Sequence, residues 1–288
     1  MRPRTFAGLS LLQEAVTNIL LAYMDIYYRR CRERWEMQTM EYRKLAAGDP
    51  NLAFNYDRVS EGKAAYIVRV RRSDKDLIDA VGKLIEDAEC LYQQEGGELP
   101  RIHFDRHLYL PLLVDEAQKF DAVPPALNAG EAQFVRHVRD FWNREKDASM
   151  AGKEVYVLRN LSRGKGVGFF ENSGFYPDFI LWVLDRDTGR QCIIFVEPHG
   201  MLYAKAYTYD EKARLHERLP GLAGEIARRS KRNDVSLDAF IVSATPYDEL
   251  RERYDGGMWD RAKFAEHHIL FPEVTDDYDF VGRLLKNP

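Results

Sequence analysis

The chain has 288 residues, 45% of them hydrophobic and 31% charged, with a formal net charge of −4. That length buries a sizeable core in one large domain or two smaller ones, and the balance is that of a globular protein with no low-complexity tract. The slight acidity excludes a uniformly basic nucleic-acid module but leaves room for local basic patches around an acidic site.

Cys31, Cys90 and Cys192 are odd in number, far apart and without CxxC spacing. They imply a reducing compartment and no disulfide framework. Arg2 and Arg4 precede an apolar stretch that Gln13, Glu14 and Asn18 interrupt. Such a segment is neither a signal peptide nor a membrane span, so a cytoplasmic location is expected.

From about Leu11 to Leu45, Leu12, Val16, Ile19, Tyr23 and Ile26 recur at helical spacing, and Arg29, Arg30, Arg32 and Arg34 follow. The pattern predicts a long helix, either packed with a solvated basic turn or used to dock a partner or phosphates. Ala65 to Val70 reads as a strand. Ser73-Asp74-Lys75-Asp76 opens a helix whose apolar face is Leu77, Val81, Leu84, Ile85 and Ala88. His103, Asp105 and His107 alternate along LPRIHFDRHLYLPLL and so share one strand face. A structural strand explains them better than a metal site. Val123-Pro124-Pro125 and Gly130 mark a linker, and a domain boundary is expected near residue 122.

Beyond it, EAQFVRHVRDFWNRE carries a helical apolar face of Phe134, Val138, Phe141 and Trp142, and EVYVLRNL reads as a strand. SRGKGVG is a glycine-rich connection. It lacks P-loop spacing, and Arg163 and Lys165 in it are candidate DNA-backbone contacts. Two apolar runs follow, Phe179–Val183 and Ile193–Val196, separated by Asp185, Asp187, Thr188 and Gly189. They predict a hairpin covered on both faces. A helix from about Tyr207 to Arg229, a strand in LDAFIVSAT and a further strand in HHILFPE complete the chain. Arg228, Arg229, Lys231 and Arg232 fall where a helix C-terminus favours cations anyway.

The hairpin carries three residues that apolar strands do not need: Asp178, Glu197 and His199. Antiparallel pairing brings both carboxylates to one end of the sheet. Two close carboxylates repel, and a hard divalent cation with oxygen ligands is the simplest remedy.

Pro177-Asp178 with Glu197-Pro198-His199 resembles the PD-(D/E)xK nuclease superfamily. More narrowly, FYPDFILW followed by IIFVEPHG resembles the nuclease region of helicase–nuclease proteins related to type III restriction enzymes. The resemblance implies a restriction-endonuclease-like core: helix, three strands, helix, strand, with a mixed central sheet flanked by helices. It implies a domain over 123–288 behind a mostly helical α+β region over 1–122. It implies a Mg²⁺-dependent deoxyribonuclease, with Mn²⁺ as an alternative ion. Asp178, Glu197 and the carbonyl of Pro198 would be the metal ligands, and Glu131 would join from the preceding helix. An acid in a helix's first turn also has a purely structural use.

His199 stands where the family usually has Lys. Imidazole can orient or deprotonate a water near neutral pH, and Lys205 is a possible substitute for the missing ammonium. The resemblance implies DNA as substrate and a restriction or antiphage role. No Walker motif is present, so a helicase motor is expected in a separate chain or region; a homo-oligomer stays open. The rival expectations are a nuclease-like DNA-binding module that has lost catalysis, and a subunit that docks a motor.

Overall fold

The computed structural model describes residues 6–42, 67–86, 101–102, 112–123, 125–160, 176–204, 206–272 and 279–285. The chain is a mixed α/β protein built around one five-stranded sheet. Ahead of the sheet come α1 (Phe6–Thr39), β1 (Ile67–Val70), α2 (Lys75–Glu86), β2 (Arg101–Ile102), β3 (Leu112–Leu113) and β4 (Phe120–Val123). Then follow α3 (Ala129–Glu145), β5 (Lys153–Arg159), β6 (Phe179–Asp185) and β7 (Gln191–His199). A short 3₁₀ turn (Tyr207–Tyr209) leads to α4 (Leu215–Ser230) and β8 (Val235–Ser243). The chain closes with α5 (Tyr247–Arg251), α6 (Arg261–Glu266), β9 (Ile269–Leu270) and α7 (Phe280–Leu285).

The sheet order is β5-β6-β7-β8-β9. The first three strands are antiparallel; β8 and β9 run parallel to β7. The antiparallel pair needs only the tight turn, where the Asp185 carboxylate accepts from the backbone N–H groups of Asp187 and Thr188, both at 2.9 Å. Gly189 takes the positive φ of +70° that closes it. The parallel step from β7 to β8 needs a crossover, and α4 supplies it.

The apolar runs are covered on both faces, as expected from their composition. Phe179, Leu181 and Val183 pack under α3 with Phe134, Val138 and Phe141. Ile180 and Trp182 turn the other way, onto Leu215 and Leu219 of α4. The element order from α3 to β8 is helix, three strands, helix, strand. The predicted helix from Tyr207 begins only at Leu215. The Asp210 carboxylate accepts from Ala213 N–H at 3.0 Å and holds the intervening chain in turns.

The segment before residue 122 is not walled off from this core. Ile102, Leu112 and Val114 belong to the same buried cluster as Phe134 and Phe179. β1, β4 and Leu77 of α2 form a smaller cluster with Leu113. By contrast α1 shows no packed face: Leu12, Val16, Ile19, Tyr23 and Ile26 are all exposed. The packed form expected of this helix is therefore not seen among the described residues. No helix among them is long and apolar enough to cross a membrane.

The Phe134 and Phe179 rings lie 5.0 Å apart and tie α3 to β6. Phe134→Ala should destabilise the fold by about 3–5 kcal/mol, the usual cost of emptying a buried aromatic site. Urea unfolding of the two proteins checks this, and a cost under about 1 kcal/mol would contradict the packing.

Candidate active site

The hairpin register pairs Phe179 with Val196, so Asp178 and Glu197 fall opposite each other one position further on. The backbone N–H of Asp178 donates to Glu197 Oε2 at 3.1 Å. Asn160 holds the approach to β6. Its side chain donates to the Pro177 carbonyl and its backbone N–H to the Asp178 carbonyl, each at 2.8 Å.

Glu131 arrives from the other side. It is the third residue of α3 and half of a capping box: Asn128 Oδ1 accepts from Glu131 N–H at 3.0 Å, and Glu131 Oε2 accepts from Asn128 N–H at 2.9 Å. Its other oxygen, Oε1, accepts from Arg159 at 2.8 Å. The same guanidinium donates to Asp178 Oδ1 at 2.8 Å and to the Asp178 carbonyl at 3.0 Å. Arg159 is thus the cation between Glu131 and Asp178. A second cation sits on the third carboxylate, where Lys212 Nζ lies 2.7 Å from Glu197 Oε1.

Arg159 and Lys212 were not singled out in the sequence. Arg159 does leave a signal there, as a charged residue directly after the apolar run Val155–Leu158. Lys212 leaves almost none, because it lies in a charged stretch, YDEKAR, and reaches the site only through the turns before α4. Lys205, the substitute suggested by proximity, lies outside the described residues, as do Arg163, Lys165, His103, Asp105 and His107.

Three carboxyl groups face two cations. Burial raises the pKa of Glu131, and the charge of Asp178 adds to the rise while Arg159 opposes it. Burial likewise raises Glu197, with Asp178 again adding and Lys212 opposing. His199 ends β7. The residue as a whole is exposed, but what burial its ring has lowers its pKa, and the charge of Lys212 lowers it further.

The oxygen-only donors suit a hard divalent ion. Burial is the main cause that raises the pKa of Glu131 and Glu197, and the charge of Asp178 adds to it; a cation beside them would favour their ionised forms. Asp178, Glu197 and the Pro198 carbonyl are hard-ion ligands in chemical type, with Glu131 one guanidinium away, but as placed Lys212 and the Asp178 N–H engage both Glu197 oxygens and Arg159 engages Asp178 Oδ1. Compared with known proteins, the chain matches no family model, no curated protein and no solved structure.

Glu197 gives a test of this electrostatic state. Its folded pKa lies above the unfolded value, so the native state holds the proton more tightly. Stability from that source is present below the unfolded carboxylate range and is lost as pH rises through the raised pKa. Glu197→Gln cannot titrate, so it should gain on the wild type as pH rises above the ordinary carboxylate range, at about pH 4, in chelator-treated buffer. Urea midpoints at stepped pH measure the difference; a flat difference would show that the carboxyl is not crowded.

Proposed function

We propose that this protein is a metal-dependent nuclease that hydrolyses DNA phosphodiester bonds on a restriction-endonuclease-like core. The observation that carries the proposal is the meeting of Glu131, Asp178 and Glu197 at one end of the sheet. They come from a helix and two adjacent strands, with one cation between the first two and another on the third. The element order from α3 to β8 supports it, since it matches the order the resemblance implies.

Mg²⁺, with Mn²⁺ as alternative, would be held by Asp178, Glu197 and the Pro198 carbonyl; it would neutralise phosphate charge and acidify a bound water. The chain's own groups divide the remaining work. His199 is held neutral near pH 7 and accepts the proton of the attacking water. Lys212, anchored on Glu197, supplies the ammonium that position 199 lacks. Arg159 holds Glu131 and Asp178 in place. Arg163 and Lys165 are proposed to touch the DNA backbone. The exposed apolar side chains of α1 favour a protein partner at that end. The resemblance makes that partner a helicase motor, in a restriction or antiphage system.

One observation favours a second function. Arg159 already satisfies Glu131 and Asp178, as it would in a nuclease-like DNA- or partner-binding subunit that has lost catalysis.

Plasmid and single-stranded DNA, incubated with Mg²⁺, Mn²⁺ or EDTA with and without a helicase partner, separate the two. The nuclease predicts divalent-dependent cleavage that Asp178→Asn abolishes without a change in circular dichroism. His199→Ala should slow single-turnover cleavage by roughly 10²–10⁴-fold, with His199→Lys restoring part of it. Because the His199 pKa lies below its ordinary value, cleavage should persist at mildly acidic pH and fall as the imidazole protonates. Unchanged rates in His199→Ala would return the proton to bulk water or Lys212. DNA binding without cleavage under every condition would favour the binding subunit.

A further inference from the structure

A second group of metal-ligand residues lies outside the carboxylate site. Among the described residues, His216, Glu217 and His267 each present a donor atom, and these atoms lie within 4.8 Å of one another. His216 and Glu217 occupy the first turn of α4, and His267 caps the C-terminus of α6, 50 residues later in the chain. Tyr207 completes the group from the 3₁₀ turn. Its hydroxyl is 2.8 Å from His216 Nε2 and donates to Glu217 Oε1, also at 2.8 Å.

We infer that His216, Glu217 and His267, with the Tyr207 hydroxyl, form a binding site for a transition-metal ion of the Zn²⁺ class. The inference does not depend on the nuclease proposal.

The donor chemistry chooses the ion. Two imidazoles and one carboxylate are the ligand types of Zn²⁺ and its neighbours, whereas Mg²⁺ prefers oxygen alone. Tetrahedral bonds of ~2.0–2.1 Å put donor atoms about 3.4 Å apart. The two Tyr207 contacts at 2.8 Å are slightly inside that spacing, and the 4.8 Å limit is slightly outside it. A cation needs the group to adjust by about an ångström, not to assemble from distant places. On entry it would replace the hydrogen bonds that now bind Nε2 of His216 and Oε1 of Glu217 to Tyr207.

The surroundings hold the ligands in place. Glu217 Oε2 accepts from Arg214 at 3.0 Å, which leaves Oε1 turned to the group. His216 stacks on His268 with ring centroids 4.0 Å apart, and His268 Nδ1 is 2.9 Å from Asp238 Oδ1. His267 stacks on Trp259 at 4.6 Å and lies against Tyr207 at 4.3 Å. The facing charged and titratable groups are thus Arg214, Asp238, Glu217 and His268 and, near His267, Lys263, Glu266 and Asp255. Burial keeps both imidazoles below their ordinary pKa, so each has a lone pair near pH 7. A bound ion would clip the start of α4 to the end of α6. Lys212 stands four residues before His216, so the clip would also fix the segment that carries the lysine.

Untagged, chelator-stripped full chain should bind one equivalent of Zn²⁺ in the Asp178→Ala background, measured by titration calorimetry. Co²⁺ should give the intense visible bands of tetrahedral coordination, and Zn²⁺ should raise the thermal midpoint. His267→Ala, His267→Gln and Glu217→Gln, each checked by circular dichroism, should weaken binding at least tenfold and lose the Co²⁺ bands. Binding that survives His267→Ala and His267→Gln, or no saturable binding in the Asp178→Ala background, would overturn the site.

Discussion

The Arg159 guanidinium is the interaction on which this end of the molecule depends. Its side chain is largely buried and it joins three elements: β5, which carries it; α3, through Glu131; and the start of β6, through Asp178. Removing a buried charge's partner typically costs several kcal/mol, because the other charge is left unpaired in a poorly solvated place. Glu131 therefore cannot move independently of Asp178, and the helix start is locked to the sheet end. The ring of Phe179 below the guanidinium, at 5.3 Å, connects this polar lock to the apolar core.

Such a lock suits both a scaffold and a catalyst. Here two of the three carboxyls are pushed toward neutrality by burial and by their neighbour Asp178. Carboxyls perturbed in this way occur at functional sites and in structural ion-pair networks alike. Glu131 is the least exclusive member, because one oxygen is committed to capping α3. Its role in the cluster and its role in the helix are the same hydrogen-bonding geometry used twice.

Much of the fold was legible in the sequence because local rules carried it. The two apolar runs and the Asp-Thr-Gly turn dictate a hairpin, and the hairpin dictates that Asp178 and Glu197 meet. The face of α3 was legible from Phe134, Val138 and Phe141 for the same reason. The cations were not. Arg159 matters through a partner 28 residues earlier and another 19 later, and Lys212 through a carboxylate 15 residues earlier. No periodicity encodes such pairings, since they follow from how sheet and crossover helix are assembled. The exposed apolar residues of α1 show the opposite failure. Helical spacing was clear, but spacing alone does not say what covers the face.

The connection from β7 to α4 concentrates this chemistry. It begins at His199, passes Tyr207, presents Lys212 to Glu197 and delivers His216 and Glu217 to the first turn of α4. A parallel step in a sheet obliges the chain to leave the strand end, cross and return, so the start of a crossover lies beside the ends of the strands. Residues placed there sense both the carboxylates of the sheet and the helices beyond β8. Lys212 occupies the middle of that path. Any force that moves the start of α4, whether the packing of Leu215 on Ile180 or a ligand on His216, must also move the ammonium relative to Glu197. The electrostatics of the sheet end and the packing of the crossover helix are therefore one mechanical unit.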